Sequence, residues 1–155
     1  VSSFGKTYHT TGWKMGYVLA PKNLTKELQK VHQFTAFSVS SPMQYAYSKI
    51  LKNPKSYKGL SEFYQEKRDY FQQLLSGSRF DIEPCHGSYF QLLKYDRITD
   101  EGDEAFARRL TIDHKIASIP ISVFFRNKTD HHLLRFCFAK SKETLEQAAE
   151  VLCKI

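Results

Sequence analysis

From residue 78 onward the sequence alternates short apolar runs with amphipathic stretches, and this alternation leaves few folds open. Phe80 to Glu83, Ser88 to Tyr95, Ile116 to Val123 and His132 to Phe138 read as strands. Asp103 to His114 reads as a helix that Asp100 or Asp103 is expected to cap. Ser141 opens a last helix, with Glu143 and Thr144 in its first turn and a buried stripe of Leu145, Ala148, Ala149 and Leu152. Strands and helices interleaved in this way predict an α/β layout, a small sheet covered by helices.

The earlier residues add pieces that this sheet does not absorb. Trp13 to Ala20 reads as a short strand closed by Pro21, and it has no evident partner in the chain. Asn23 or Thr25 is expected to cap a helix carrying Leu28, Val31 and Phe34 at helical spacing. Pro42 suits the first turn of a helix over Met43 to Leu51, which Asn53-Pro54 then breaks. Ser56 to Leu75 is a long amphipathic pattern ended by Ser76-Gly77-Ser78. A helix of ~20 residues spans about 30 Å, long enough to join two domains. The chain of 155 residues starts at Val1, not Met. Together with the partnerless strand, this predicts a piece of a longer protein.

Composition narrows the function classes. No apolar run approaches the roughly 18 to 20 residues of a membrane helix, and the first residues lack the basic start and apolar stretch of a signal peptide. The net charge is +7, yet Lys22, Lys26, Lys30, Lys49 and Lys52 are scattered at helical spacing. That pattern reads as a solvated helix surface and not as a nucleic-acid face. Cys85, Cys137 and Cys153 are odd in number with no C-x-x-C spacing, which suits reduced thiols in a cytoplasmic protein. His131 and His132 are neighbours in a strand and point to opposite faces, so they do not make a metal pair.

Two places carry candidate chemistry. The first is Ser3-Phe4-Gly5-Lys6, followed by Thr10-Thr11-Gly12-Trp13-Lys14-Met15-Gly16. Gly5 permits close backbone approach, Ser3 can donate a hydrogen bond to an anion, and Lys14 can supply a point charge to a phosphate. An amine held near a second cation is also the better nucleophile toward a carbonyl group. From the residues alone, Lys6 is either a surface lysine or such a nucleophile, and Trp13 reads as a packing residue. The second place is Leu134-Arg135-Phe136-Cys137-Phe138. An arginine in an apolar strand is costly to bury alone, and from the residues alone a structural ion pair with an acidic neighbour is one explanation of Arg135. Cys137 and Phe90 read as core.

The stretch from Ser3 to Tyr17 resembles the cofactor-lysine pattern of class I/II pyridoxal-phosphate-dependent aminotransferases. In that pattern a serine stands three residues before the lysine and a basic residue eight after it, the positions of Ser3 and Lys14. Lysine at the second position is similar to the methionine and kynurenine aminotransferase branch. The resemblance continues through Phe37-Ser38-Val39-Ser40-Ser41-Pro42-Met43-Gln44, similar to a loop before a Pro-x-Gln helix that approaches the partner subunit's site. It continues through Glu83-Pro84-Cys85-His86-Gly87-Ser88-Tyr89-Phe90 and the Arg135 strand.

The resemblance implies the end of the large pyridoxal-phosphate-binding domain plus the complete small α/β carboxy-terminal domain. Residues 1–55 would belong to the large domain, 56–77 to a long connecting helix and 78–155 to the small domain. It implies Lys6 as the catalytic lysine that holds pyridoxal 5'-phosphate, Ser3 and Lys14 as further cofactor ligands, and Arg135 as the receptor of the substrate carboxylate. The implied reaction transfers the amino group of an apolar or aromatic L-amino acid, methionine- or kynurenine-like, to a 2-oxo acid. The implied whole is a cytoplasmic homodimer that binds neither nucleic acid nor membrane. These residues make up less than half of a typical member, so the chain alone is expected to be inactive. A non-catalytic small domain that packs or dimerises, or another pyridoxal-phosphate chemistry such as β-elimination, is the alternative.

Overall fold

Gly16 decides how the chain begins to fold. In this computed structural model, which describes residues 1–155, β1 (Ser2–Ser3) pairs antiparallel with β2 (Gly16–Tyr17), Ser3 opposite Gly16. A Cβ on Gly16 would lie 2.6 Å from the Ser2 carbonyl oxygen, so a side chain there would force the strands apart. The strand expected to lack a partner therefore has one within the chain. It is also only two residues long. Thr11–Trp13 forms a 3₁₀ turn before it, and Lys14 adopts a left-handed conformation with φ 52° that interrupts the extended backbone.

Between the two strands lies α1 (Phe4–Thr7), a single turn. Two longer helices follow, α2 (Lys22–Thr35) and α3 (Ser41–Ile50), the latter with Pro42 in its first turn as expected. Neither Asn23 nor Thr25 caps α2. Pro21 holds the cap position without a side-chain bond, while the Thr25 hydroxyl donates to the Ala20 and Pro21 carbonyls from inside the first turn. The apolar stripe of α2 lies open: Leu24, Leu28 and Val31 are exposed, Phe34 at 86%. What buries this part of the chain is Tyr47 of α3, itself 3% exposed. Its ring stacks on Phe4 at 4.6 Å and meets Trp13 edge-on at 5.5 Å, and its hydroxyl is hydrogen-bonded to the Thr10 hydroxyl. Trp13 thus packs, as expected.

The chain divides into two compact units, Val1–Ser61 and Glu62–Ile155. A 3₁₀ turn at Pro54–Ser56 precedes α4 (Leu60–Leu74), so the helix starts later than expected and is about 22 Å long. The second unit carries a four-stranded antiparallel sheet of β3 (Asp81–Ile82), β4 (Phe90–Lys94), β5 (Ile119–Pro120) and β6 (Leu133–Cys137) in the order β3-β4-β6-β5. Its helices are α4, α5 (Asp103–His114) and α6 (Lys142–Leu152). Leu93, Leu134 and Phe136 from the strands join Phe71, Phe106, Leu110, Leu145, Ala149 and Leu152 from the helices in one core. Burying each of the large side chains contributes about 1.5–3 kcal/mol. Alternation then fixes the opposite face, where Phe90, Leu92 and Lys94 of β4 accompany Leu133, Arg135 and Cys137 of β6, all half-buried. Phe90 and Cys137, expected in the core, are on this second face. No helix is long and apolar enough to cross a membrane.

Ser141 caps α6 as expected, accepting from the Thr144 amide at 3.3 Å. The cap of α5 differs: neither Asp100 nor Asp103 supplies it. The Asp103 amide donates instead to the Asp130 carboxylate, 27 residues away, at 2.7 Å. The Asp103 side chain turns inward, and its two oxygens accept from the amide and hydroxyl of Ser122 at 2.7 and 2.6 Å. This pair explains why the strand expected over Ile116 to Val123 stops at Pro120. The backbone is pulled into a 3₁₀ turn, Ser122–Phe124, and Pro120 has no N–H to extend a ladder.

Candidate functional site

Three of the four candidate site residues lie on the first unit, within one short stretch of backbone. Ser3 ends β1 and caps α1: its hydroxyl oxygen accepts from the Gly5 amide at 3.1 Å and its hydroxyl donates to the Met15 carbonyl at 3.4 Å. The Phe4 amide donates to the same carbonyl at 3.1 Å. Ser3 is thereby held against the residue that follows Lys14. Lys6 projects from α1, and Lys14 from the left-handed residue before β2; both are exposed. Gly5 is buried, and a Cβ there would stand 3.0 Å from the Thr11 Cα. Only glycine lets the loop fold back this tightly. A recess of about 280 Å³ beside this loop is lined by Ser2, Ser3, Phe4, Thr7, Tyr8 and Tyr17 among others. It takes in Ser3 but neither Lys6 nor Lys14.

A hydroxyl, a primary amine and a second cation on one loop suit a small anion that also carries a carbonyl group. Lys14 matches a phosphate and the Lys6 amine an aldehyde, while the Ser3 hydroxyl proton is engaged with the Met15 carbonyl. By residue type, the two lysines of this loop fit pyridoxal phosphate.

Arg135 belongs to the second unit. It is paired across β6 with Leu92 on one side and Ile119 on the other. Within these 155 residues Arg135 forms no ion pair, and its Nε is buried with no hydrogen-bond partner. Two rings engage it instead. Its guanidinium carbon lies 4.1 Å from the Phe90 ring centroid and 5.1 Å from that of Phe124. A cation with aromatic company and no counter-charge keeps its strongest interaction available for an incoming anion.

Sequence reasoning did not single out Phe124, because it lay just past a segment read as strand. Phe90 is a diagonal neighbour of Arg135, a relation visible only once the β4–β6 register is known. Other polar groups have local explanations. The Cys85 thiol is taken up by the Gly87 and Phe90 carbonyls at 3.1 and 3.2 Å. His132 pairs with Asp96 at 3.0 Å and stacks on the buried Tyr95 ring. Burial, reinforced by the charges of Asp130, Asp103, Asp96 and Glu101, drives the Tyr95 phenol upward from its ordinary pKa.

Comparison with known proteins identifies the family. The family model for aminotransferase class I and II matches residues 1–152. A methionine aminotransferase of Escherichia coli is 47% identical over 98% of this chain, and a kynurenine–oxoglutarate transaminase of Dictyostelium discoideum is 32% identical over all of it. The crystal structure of the Escherichia coli protein YbdL, described with a methionine aminotransferase function, superposes with a TM-score of 0.93 at 45% identity over 99% of the chain. N-succinyldiaminopimelate aminotransferase from Mycobacterium tuberculosis follows with a TM-score of 0.89 at 26% identity over 98%. The chain spans 40–41% of the length of each of these proteins. With a family match along nearly its whole length and the same α/β fold, this chain belongs to the class I and II aminotransferases.

Proposed function

We propose that this chain is the carboxy-terminal part of a pyridoxal-phosphate-dependent aminotransferase that moves the amino group of an apolar or aromatic L-amino acid, methionine- or kynurenine-like, to a 2-oxo acid. Residues 1–55 form the end of the large cofactor-binding domain, 56–77 carry the connecting helix and 78–155 form the small domain. The observation that supports the reading most is Arg135, a half-buried guanidinium with aromatic neighbours and no counter-charge. The relatives' names support the substrate class. The whole protein works as a cytoplasmic homodimer, and these 155 residues alone are inactive because they supply one part of the site.

Lys6 holds the cofactor, and Ser3 and Lys14 bind its phosphate. When bound, pyridoxal phosphate supplies an electron sink for the bond broken at the substrate Cα. Arg135 takes the α-carboxylate through in-plane N–H groups and so fixes the amino acid's orientation. The Lys6 Nζ would be the group that takes up and gives back the Cα proton.

The test uses the full-length protein. Lys6→Ala is expected to abolish the visible absorbance band that forms with pyridoxal phosphate, together with methionine turnover. Arg135→Gln is expected to lower kcat/KM by about 100-fold, chiefly through KM, as loss of a bidentate charged contact would. Unchanged turnover in Lys6→Ala would overturn the reading. β-Elimination is the outcome if the amino acid is consumed without a 2-oxo acid acceptor.

A further inference from the structure

The rings around Arg135 have a physical role that its charge alone does not explain. They come from two different strand neighbours. Phe90 is on β4, directly across from Cys137 and diagonal to Arg135. Phe124 follows β5, on the other side of β6. The guanidinium is thus approached from β4 and from the 3₁₀ turn that follows β5, at 4.1 and 5.1 Å. An aromatic ring against a guanidinium engages its π face. The N–H groups that grip a carboxylate lie in the plane, at the edge. Two rings against the guanidinium, with no carboxylate paired to it in these residues, hold the charge in place for an incoming anion. The Nε is buried and makes no hydrogen bond within these residues.

The two rings are not held equally. Phe90 is fixed by the β4–β6 ladder and is half-buried. Phe124 is 60% exposed and lies on a 3₁₀ turn. That turn is anchored at its first residue: Ser122 is 3% exposed and gives both its amide and its hydroxyl to the buried Asp103 carboxylate. Asp103 is held in turn at the start of α5 by Asp130. The exposed ring is therefore set by a buried polar strut.

We infer that Phe90 and Phe124 form an aromatic clamp that orients the Arg135 guanidinium for a carboxylate, and that the Asp103–Ser122 pair is the strut that positions its outer jaw. Phe124 and Ser122 are positioning residues, acting through Arg135. The inference rests on the reading of Arg135 as a carboxylate receptor.

The test uses the full-length protein, the Nε–Hε resonance of Arg135 in nuclear magnetic resonance spectra, and 3-phenylpropionate as the probe, with neutral 3-phenylpropionamide as control. In the wild type the two rings shift the Arg135 Hε resonance upfield, and 3-phenylpropionate moves it while the amide does not. Phe124→Leu keeps an apolar side chain but removes the π face. It is expected to release part of the upfield shift and weaken 3-phenylpropionate binding about two- to fivefold, with the β4–β6 amide resonances unchanged. Phe124→Tyr restores both. Ser122→Ala is expected to move Hε in the same direction as Phe124→Leu. Arg135→Gln abolishes binding. If Arg135→Gln binds the probe as well as the wild type, or the wild type does not bind it, the receptor reading itself fails and the clamp with it. If Arg135→Gln loses binding while Phe124→Leu changes neither Hε nor affinity, the receptor stands and the clamp is overturned. An Hε resonance unmoved in Ser122→Ala overturns the strut.

Discussion

Replacing Asp103 by Ala tests whether the buried strut stabilises the second unit. The carboxylate is 2% exposed and accepts two short hydrogen bonds, from the Ser122 amide at 2.7 Å and its hydroxyl at 2.6 Å. Hydrogen bonds to a charged group contribute about 1.5–3 kcal/mol each, and a buried donor left without a partner costs about 1–3 kcal/mol. Against this, Asp103→Ala relieves the cost of keeping a charge out of water. Weighing these, the substitution is expected to cost about 3 kcal/mol. Ser122→Ala keeps the amide bond and loses only the hydroxyl, for about 1–2 kcal/mol. The double variant should cost less than the sum, with a coupling of about 1–2 kcal/mol. Native-state hydrogen exchange of the β4–β6 amides measures these values within the second unit. In a unit of 94 residues, Glu62–Ile155, 3 kcal/mol lowers Tm by roughly 12–24 °C. A loss below about 1 kcal/mol for Asp103→Ala, or strict additivity of the two changes, would refute the reasoning. Either result would mean that water replaces the carboxylate at little cost.

Gly16→Ala drives a methyl group to 2.6 Å from the Ser2 carbonyl and should destabilise the first unit by about 2 kcal/mol; Gly12→Ala, where a Cβ meets nothing within 4 Å, should be neutral or slightly stabilising. Trp13 is the only tryptophan, so its fluorescence during denaturation reads both, and equal effects would sink the argument. Lys94, with help from His132, holds the Asp96 carboxyl below its ordinary pKa. A depressed carboxylate contributes stability that is present above its unfolded pKa and lost as pH falls through the folded one. Asp96→Asn is therefore expected to flatten the loss of stability of the second unit below about pH 4, followed by acid titration of the same exchange-protected amides.

The elements that were legible in the sequence are those whose signals are local. Ser141 followed by Thr144 fixes the start of α6, and the Asp103–His114 pattern gives α5 its bounds, because capping and helical periodicity act within a few residues. What the sequence hid was decided at a distance. The cap of α5 comes from Asp130, and the end of β5 is set by the Asp103–Ser122 bond. The pairing of β1 with β2 depends on a glycine whose importance shows only when Ser2 is opposite it. At the candidate site, residue types and spacing indicated Ser3, Lys6, Lys14 and Arg135. The absence of an ion pair at Arg135 and the rings beside it required the register of three strands.

The open stripe of α2 has a thermodynamic consequence. Unfolding raises heat capacity in proportion to the apolar surface newly wetted. Leu24, Leu28, Val31 and Phe34 are already in contact with solvent, so they add little to that increment or to the denaturant slope. In these 155 residues taken alone, the first unit should accordingly show a smaller heat-capacity increment than its 61 residues imply, with a flatter stability curve and less loss on cooling.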